Sequence, residues 1–184
     1  MDKFFYTSKK QSSKLRPNYY ASGVLDIDYE LLHQHGIRCI AFDVDGTITK
    51  SGSSTMAAKQ SLRLVAILEN AGIEKALLAS NSERDLSTII NQLPGFTAVQ
   101  PHNHAPKPSK SFYQAVIDTA GCRPEQIAMV GDRYLQDIWG AKRSGLSAIL
   151  IAMQPNHASN LDKMLFRDKW QYRVTKYLAK KHKT

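Results

Sequence analysis

Asp43-Val44-Asp45-Gly46-Thr47 follows the mostly apolar residues 37–42 (IRCIAF) without a break. The apolar run is typical of a buried strand, and because side chains alternate along a strand, Asp43 and Asp45 are predicted to lie on the same side. Two carboxylates that close repel each other unless a metal ion or a shared proton neutralises them. Such a pair is costly in a core but useful at the open end of a strand. The stretch therefore predicts a turn that holds a cation and a phosphate group.

Four further apolar segments predict an α/β fold. All five are rich in Ile, Leu, Val and Ala with little alternation, which is typical of strands covered on both faces. The predicted strands are residues 38–44, 75–80, 96–100, 127–131 and 147–152. Helical patterns lie at residues 57–71, 84–93, 109–120 and 134–144. Strands that alternate with helices predict a Rossmann-like, five-stranded parallel sheet with right-handed crossovers and helices on both faces.

Polar residues stand where three of these strands end. Asp43 and Asp45 follow the first strand, Ser80-Asn81-Ser82 the second, and Gly131-Asp132 the fourth. Ligands of open parallel sheets bind beyond the carboxyl ends of the strands. The sequence therefore predicts a single site at this rim.

The residue types at the rim suit phosphoryl transfer to a carboxylate. Asp43 is the predicted nucleophile, which attacks phosphorus and forms an aspartyl-phosphate. Asp45 is the predicted acid/base, which protonates the leaving oxygen and then activates water. We expect the phosphate oxygens to be bound by Gly46, Thr47, Ser80, Asn81 and Lys107, the last of which lies between two prolines.

The carboxylates also predict a magnesium site, because Mg²⁺ prefers oxygen ligands. The expected ligands are Asp43, Asp45 through its backbone carbonyl, and Asp132. Asp137 has two interpretations from the sequence. It either supports the site by orienting Lys107 or a metal-bound water, or it is a charge on a helix surface.

The order Asp-x-Asp-Gly-Thr, Ser-Asn, Lys-Pro and Gly-Asp-x4-Asp resembles the haloacid-dehalogenase-like (HAD) phosphatase superfamily. The resemblance implies the HAD fold, Mg²⁺ as cofactor and a phosphomonoester as substrate. Asp45 resembles the second aspartate of the phosphatases, whereas the dehalogenases of that superfamily lack an acid/base at this position.

A narrower resemblance covers roughly residues 16–152. Residues 24–28 (VLDID), 36–37 (GI) and 131–141 (GDRYLQDIWGA) look like the YqeG-type enzymes of subfamily IIIA, which are related to mitochondrial phosphatidylglycerophosphate phosphatases. One departure is Gly46, where that subfamily generally has Asn. The resemblance implies phosphatidylglycerophosphate as a substrate. The alternatives are a soluble sugar phosphate, a nucleic-acid end, or a non-catalytic module that binds lipid or nucleic acid.

The spacing of the motifs limits what can cover the site. Only 34 residues separate Asp45 from Ser80, and only 26 separate Ser80 from Lys107. A helix and a strand take up most of the first gap, so neither gap holds a folded cap. We therefore expect an open site with no large cap domain.

The net charge of +9 lies at the two ends of the chain. Residues 1–20 hold five Lys/Arg and one acidic residue, residues 160–184 hold eight and two, and residues 21–159 hold twelve and thirteen. We expect a basic N-terminal segment (1–20), a HAD-like phosphatase core (21–159) and a basic amphipathic C-terminal helix (160–184). The helix either packs on the sheet with a solvated basic face or docks on anionic lipid. Basic ends favour an anionic partner, phospholipid at a membrane surface ahead of nucleic acid.

The remaining features concern location and the histidines. Two cysteines give no disulfide framework, and no run approaches the roughly 18 apolar residues of a membrane span. We expect a cytoplasmic protein, with peripheral attachment to a membrane left open.

The pairs His33/His35 and His102/His104 lack further ligands at metal-binding spacing, so we expect them at the surface. His102 and His104 precede Lys107, which leaves a substrate contact open.

Overall fold

The computed structural model describes residues 16–50, 52–101 and 105–152, together with the backbone of residues 4–6. Its strands form one sheet in the order β1-β2-β7-β6-β3-β4-β5. They are β1 (Phe4–Tyr6), β2 (Tyr19–Ala21), β3 (Cys39–Phe42), β4 (Lys75–Ala79), β5 (Phe96–Val99), β6 (Ile127–Gly131) and β7 (Ser147–Ile151). Every neighbouring pair is parallel except β1 and β2, which are antiparallel.

Helices cover both faces of the sheet. They are α1 (Tyr29–Gln34), α2 (Ala58–Asn70), α3 (Ser87–Gln92), α4 (Lys110–Ala120), α5 (Gly140–Arg143), a π-helix (Tyr134–Trp139) and two 3₁₀ helices (Val24–Asp26 and Pro124–Gln126). Along β3, Ile40 and Phe42 belong to a core shared with α1, α2 and α3. Cys39 and Ala41 belong to a second core shared with α4 and α5. This double burial explains why β3 is apolar without alternation.

The predicted parallel sheet is confirmed, and strands near the N-terminus extend it. All five predicted strands are present to within two residues at each end. The sequence analysis did not predict β1 and β2. Asn18 fixes β2 beside β7, because its backbone N–H donates to the Ala148 carbonyl (2.8 Å) and its Oδ1 accepts from the Ala148 N–H (2.9 Å). Lys142 also donates to Asn18 Oδ1, at 3.0 Å.

Two predicted helices differ from the structure. The helix predicted at 84–93 begins only at Ser87, because the Asp85 side chain accepts hydrogen bonds from the Ser87 N–H (2.8 Å) and hydroxyl (2.6 Å) before the helix starts. The helix predicted at 134–144 is a π-helix followed by the short α5. The predictions missed α1 and both 3₁₀ helices.

The gaps between the motifs contain no separate domain in the part of the chain that is described. Between Asp45 and Ser80 the elements are α2 and β4, and between Ser80 and Lys107 they are α3 and β5. The described residues therefore agree with the prediction of no large cap domain.

The predicted C-terminal helix lies outside the described residues, as do His102 and His104. The division of the chain at residues 20 and 159 stays a prediction. Among the residues that are described, no helix combines the length and the apolar character that crossing a bilayer requires.

Candidate active site

The carboxyl ends of the central strands bring the predicted site residues together. Asp43 directly follows β3, and its N–H continues the ladder by donating to the Val130 carbonyl of β6 (2.8 Å). Ser80 directly follows β4 and Asp132 directly follows β6. Because these strands are parallel neighbours, all three residues lie at one rim of the sheet. Each of them is less than a tenth exposed.

Lys107 is the buried cation of this rim. Its Nζ donates to Asp43 Oδ1 (2.6 Å), to Asp137 Oδ1 (2.7 Å) and to the Ala79 carbonyl (2.8 Å). The side chain is 0% exposed, so all three ammonium protons are used inside the protein. The loop that follows β5 thus delivers a charge to the residue that follows β3.

The charges at the site do not balance. Burial disfavours the ammonium of Lys107, but attraction to Asp137 and Asp43 and their hydrogen bonds outweigh it, so its pKa is raised. Burial also raises the pKa of Asp137 in spite of its contact with Lys107. The pKa of Asp132 is raised to about 8, first by burial and then by the charges of Asp43 and Asp137. Three carboxylates face one cation.

The same imbalance makes the cluster fit a divalent cation. Asp43, Asp132 and Asp137 each offer a carboxylate oxygen within 4.8 Å of the others. Fully ionised, these three residues and Lys107 leave two negative charges, which a dication such as Mg²⁺ would offset. Two of the three predicted ligands, Asp43 and Asp132, belong to this cluster, and hard oxygen ligands are what Mg²⁺ prefers.

Asp137 lies inside the site and not on a helix surface. It is 0% exposed and bonds Lys107 through Oδ1, while its Oδ2 accepts from the Arg133 N–H (3.0 Å). Of the two interpretations that the sequence allowed, the surface charge is wrong because Asp137 is buried, while its contact with Lys107 fits the other, a role in supporting the site, which stays a prediction.

The Asp45 carboxylate lies apart from this cluster. β3 ends at Phe42, two residues before the end of the predicted strand, so strand alternation does not govern Asp45. Its Oδ1 accepts hydrogen bonds from the Gly52 N–H (2.9 Å) and pairs with Arg84 (3.0 Å). The two aspartates of the opening motif therefore have different cationic partners.

The residues predicted to bind phosphate are held in place around Asp43. The Thr47 hydroxyl donates to Asp43 Oδ2 (3.2 Å), and the buried Ser80 hydroxyl accepts from the Ser82 N–H (3.1 Å). The Asn81 amide bonds both backbone groups of Lys107, at 2.7 and 3.1 Å. That amide therefore fixes the lysine loop.

Two glycines let carboxylates approach the backbone. Gly46 has φ +89°, which favours glycine, and a Cβ there would lie 2.8 Å from Asp132 Oδ2. A Cβ on Gly131 would lie 2.4 Å from Asp137 Cγ. Both glycines are therefore required by the packing of the acidic cluster.

Sequence reasoning missed Tyr113, whose side chain contacts the backbone of Asp137. This buried residue of α4 donates its hydroxyl to the Gln136 carbonyl (2.8 Å) and to the Asp137 carbonyl (3.2 Å). The Asp137 carbonyl also accepts from the Gly140 N–H, so the tyrosine adds a side-chain donor at the end of the π-helix. Apolar periodicity gives no sign of this role, because Tyr113 reads as an ordinary core position of α4.

The described histidines do not form a metal site. His35 is exposed and its Nδ1 is 2.7 Å from the Tyr19 hydroxyl, while His33 is partly buried. The acidic cluster is the one group of potential metal ligands found among the described residues.

Comparisons with known proteins agree with this geometry. A family model described as HAD-hydrolase-like matches residues 104–180. Probable phosphatase YqeG of Bacillus subtilis is 22% identical over 135 residues, which are 73% of this chain and 76% of that protein. Phosphatidylglycerophosphate phosphatase 1, chloroplastic, of Chlamydomonas reinhardtii is 26% identical over 160 residues, which are 83% of this chain and 57% of that protein.

Other relatives match over shorter segments. Haloacid dehalogenase-like hydrolase domain-containing protein 2 of Bos taurus is 34% identical over 58 residues, which are 32% of this chain and 22% of that protein. In matches of this kind the aligned part of the chain spans about a fifth of the relative's length. Among solved structures, an uncharacterized protein of Corynebacterium glutamicum has a TM-score of 0.50 at 18% identity, covering 67% of this chain and 90% of that one. That likeness shows the fold.

The match to the HAD-hydrolase-like family model agrees with the resemblance that the motif order predicts. It carries the two-aspartate opening motif that resembles the phosphatases of the superfamily and not its dehalogenases. The likeness to YqeG and to the chloroplast protein agrees with the narrower resemblance, over much of the same residues.

Replacing Asp132 by Asn is expected to stabilise the metal-free protein. Folding raises the pKa of Asp132 from 3.8 to about 8. The stability that comes from protonated Asp132 is therefore fully present below about pH 4 and is lost as the pH rises through about 8. An amide does not titrate, so in EDTA at pH 7.5 Asp132→Asn should raise the free energy of unfolding by on the order of 2 kcal/mol. Urea unfolding at several pH values measures this, with the exposed Asp118→Asn as control. Equal or lower stability of Asp132→Asn would contradict the charge imbalance.

Replacing Gly131 by Ala is expected to push Asp137 away from Lys107. The added Cβ would lie 2.4 Å from Asp137 Cγ, and we expect a loss of about 1–3 kcal/mol in the free energy of unfolding from overpacking. Gly23→Ala is the matched control, because Gly23 has φ −172° and its nearest contact is at 3.7 Å. Urea unfolding compares the two variants, and equal stability of both would show that the close approach is unimportant.

Proposed function

We propose that this chain is a Mg²⁺-dependent phosphomonoesterase that works through an aspartyl-phosphate on Asp43. The observation that carries the proposal is the pair of separately held carboxylates at one rim. Asp43 is fixed by the buried Lys107, while Asp45 is fixed by Arg84 and the Gly52 N–H. One aspartate is thus placed to act as nucleophile, while the other lies outside the cluster as the proposed acid/base.

The reaction takes two steps. In the first, a carboxylate oxygen of Asp43 bonds to phosphorus, the bond from phosphorus to the alcohol oxygen breaks, and Asp45 gives that oxygen its proton. In the second, Asp45 takes a proton from water, the water oxygen bonds to phosphorus, and the Asp43 carboxylate leaves with inorganic phosphate released. Lys107 stabilises negative charge on Asp43 and on the phosphoryl oxygens throughout.

Phosphate binding and metal binding fall to different residues of the rim. The N–H of Gly46, the Thr47 and Ser80 hydroxyls and the Asn81 N–H are proposed to bind phosphoryl oxygens. Asp43, the Asp45 carbonyl and Asp132 are proposed to hold Mg²⁺, with Asp137 supporting Lys107. When bound, the ion supplies positive charge that offsets the carboxylates and polarises the phosphoryl group.

For the substrate we propose phosphatidylglycerophosphate, reached at an anionic membrane surface by a protein of the YqeG type in subfamily IIIA. The support is the activity named for the chloroplast relative, 57% of which is aligned with this chain, together with the basic ends of this chain. The short segments between the motifs also favour a phosphate presented on a large molecule or surface, because no cap closes over the described rim. A cytoplasmic protein with peripheral membrane attachment fits this substrate.

Phosphate release from phosphatidylglycerophosphate in mixed micelles tests the proposal. Wild type with Mg²⁺ should release phosphate, and EDTA should reduce the rate at least tenfold. Asp43→Asn should reduce it by about a thousandfold or more, because an amide is a poor nucleophile. Asp26→Asn, which changes a carboxylate outside the acidic cluster, is the matched control and should retain activity. Glycerol 1-phosphate, a sugar phosphate and a 5′-phosphorylated oligonucleotide complete the panel.

Each outcome with this panel of phosphate substrates leads to a different conclusion. Good turnover of a soluble phosphate or of the oligonucleotide, with none of the lipid, would keep the phosphatase and reject the lipid substrate. Equal inactivity of wild type and Asp43→Asn with every phosphate would reject the enzyme and favour a binding module on this scaffold.

A further inference from the structure

Hydrogen bonds to neighbouring loop residues hold the backbone of Arg84 in place. The residue lies in the loop between β4 and α3, where its N–H donates to the Ser82 hydroxyl (3.2 Å) and its carbonyl accepts from Gln100 Nε2 (2.8 Å). Gln100 Nε2 also donates to the Ser82 carbonyl, at 2.6 Å. The loops that follow β4 and β5 therefore hold the backbone of Arg84 between them.

The guanidinium joins two parts of the loop after β3. Arg84 Nη2 lies 3.0 Å from Asp45 Oδ1 and donates to the Ser53 carbonyl at 3.1 Å. Both side chains of the ion pair are only about a quarter exposed, at 25% and 28%. An isolated surface ion pair would contribute little, but this one has a fixed backbone and a second, neutral acceptor.

Arg84 and Gly52 both contact the same carboxylate oxygen of Asp45, Oδ1. Oδ1 accepts from the Gly52 N–H and forms the ion pair with Arg84. Oδ2 takes no hydrogen bond from any described residue. A carboxylate anchored at one oxygen presents the other in a fixed direction, which is the arrangement that proton transfer to a bound alcohol oxygen requires.

We infer that Arg84 is the positioning residue of the acid/base, fixing Oδ1 of Asp45 so that Oδ2 faces the leaving oxygen. The inference rests on the proposed function. It also explains how the two aspartates keep separate partners. With Arg84 and Gly52 binding Asp45, the carboxylate stays away from Lys107, which is left to Asp43 and Asp137.

The consequence is a selective loss of activity when Arg84 is replaced. A poor leaving group such as benzyl alkoxide must receive a proton as its bond to phosphorus breaks, whereas p-nitrophenolate leaves without one. Losing the position of Asp45 should therefore slow hydrolysis of benzyl phosphate and spare that of p-nitrophenyl phosphate. A defect in folding or in phosphate binding would slow both alike.

The experiment measures kcat/KM of Arg84→Gln with both substrates in Mg²⁺. This quantity covers the steps up to departure of the alcohol, so slow hydrolysis of the aspartyl-phosphate does not enter it. We expect a loss of about 30-fold or more with benzyl phosphate and less than about 3-fold with p-nitrophenyl phosphate. Arg84→Lys, which keeps the charge but not the planar guanidinium, should lose less with benzyl phosphate. The matched control is Arg38→Gln, an arginine of similar exposure away from the rim, which should change neither value.

Measurements on an Asp45→Asn background separate a positioning role of Arg84 from direct contact of Arg84 with the substrate. Asp45→Asn alone should show the same selective loss, and adding Arg84→Gln to it should change benzyl phosphate hydrolysis by less than about 2-fold, because Arg84 acts through Asp45. Equal losses with both substrates, or a further large loss on the Asp45→Asn background, would overturn the inference. Wild-type turnover is the separate readout of the proposed function. If wild type hydrolyses neither substrate nor any phosphate of the lipid panel, the phosphatase proposal fails first and the inference falls with it.

Discussion

The rest of the site depends on one buried ammonium group. Lys107 is fully enclosed and uses its three protons on two carboxylates and a backbone carbonyl. A buried charge persists only where such partners compensate for lost hydration. Asn81 therefore fixes the backbone of the lysine loop, and Gly131 leaves the space that Asp137 occupies. Each of these features follows from placing a cation at the end of β3.

The requirement extends into the second core of the protein. Asp137 reaches Lys107 from the π-helix. Tyr113 of α4 donates its hydroxyl to the Gln136 and Asp137 carbonyls of that helix. The same cluster carries more negative than positive charge, which raises the pKa of Asp132 and suits the binding of a dication. The packing and the electrostatics of the rim thus both follow from the buried acidic cluster around Lys107.

Much of the fold could be predicted because both sheet faces are buried. Burial on both faces makes β3, β4, β6 and β7 nearly continuous apolar runs in the sequence, and the carboxyl ends of β3, β4 and β6 locate Asp43, Ser80 and Asp132. The three-residue strands β1 and β2 are too short to give such a signal. A position in a helix pattern could not decide the role of Asp137, because the π-helix changes which way its side chain faces. Arg84 carries no local pattern, since its importance arises from loops that are distant in sequence.

We propose that Asp43, held by Lys107, accepts the phosphoryl group. Acid quenching during turnover of p-nitrophenyl phosphate, followed by peptide mass spectrometry, tests it most directly. We expect a phosphoryl group on Asp43 and none on Asp45. A phosphoryl group on any other residue, or turnover with no phosphorylated intermediate under conditions that preserve acyl phosphates, would contradict it.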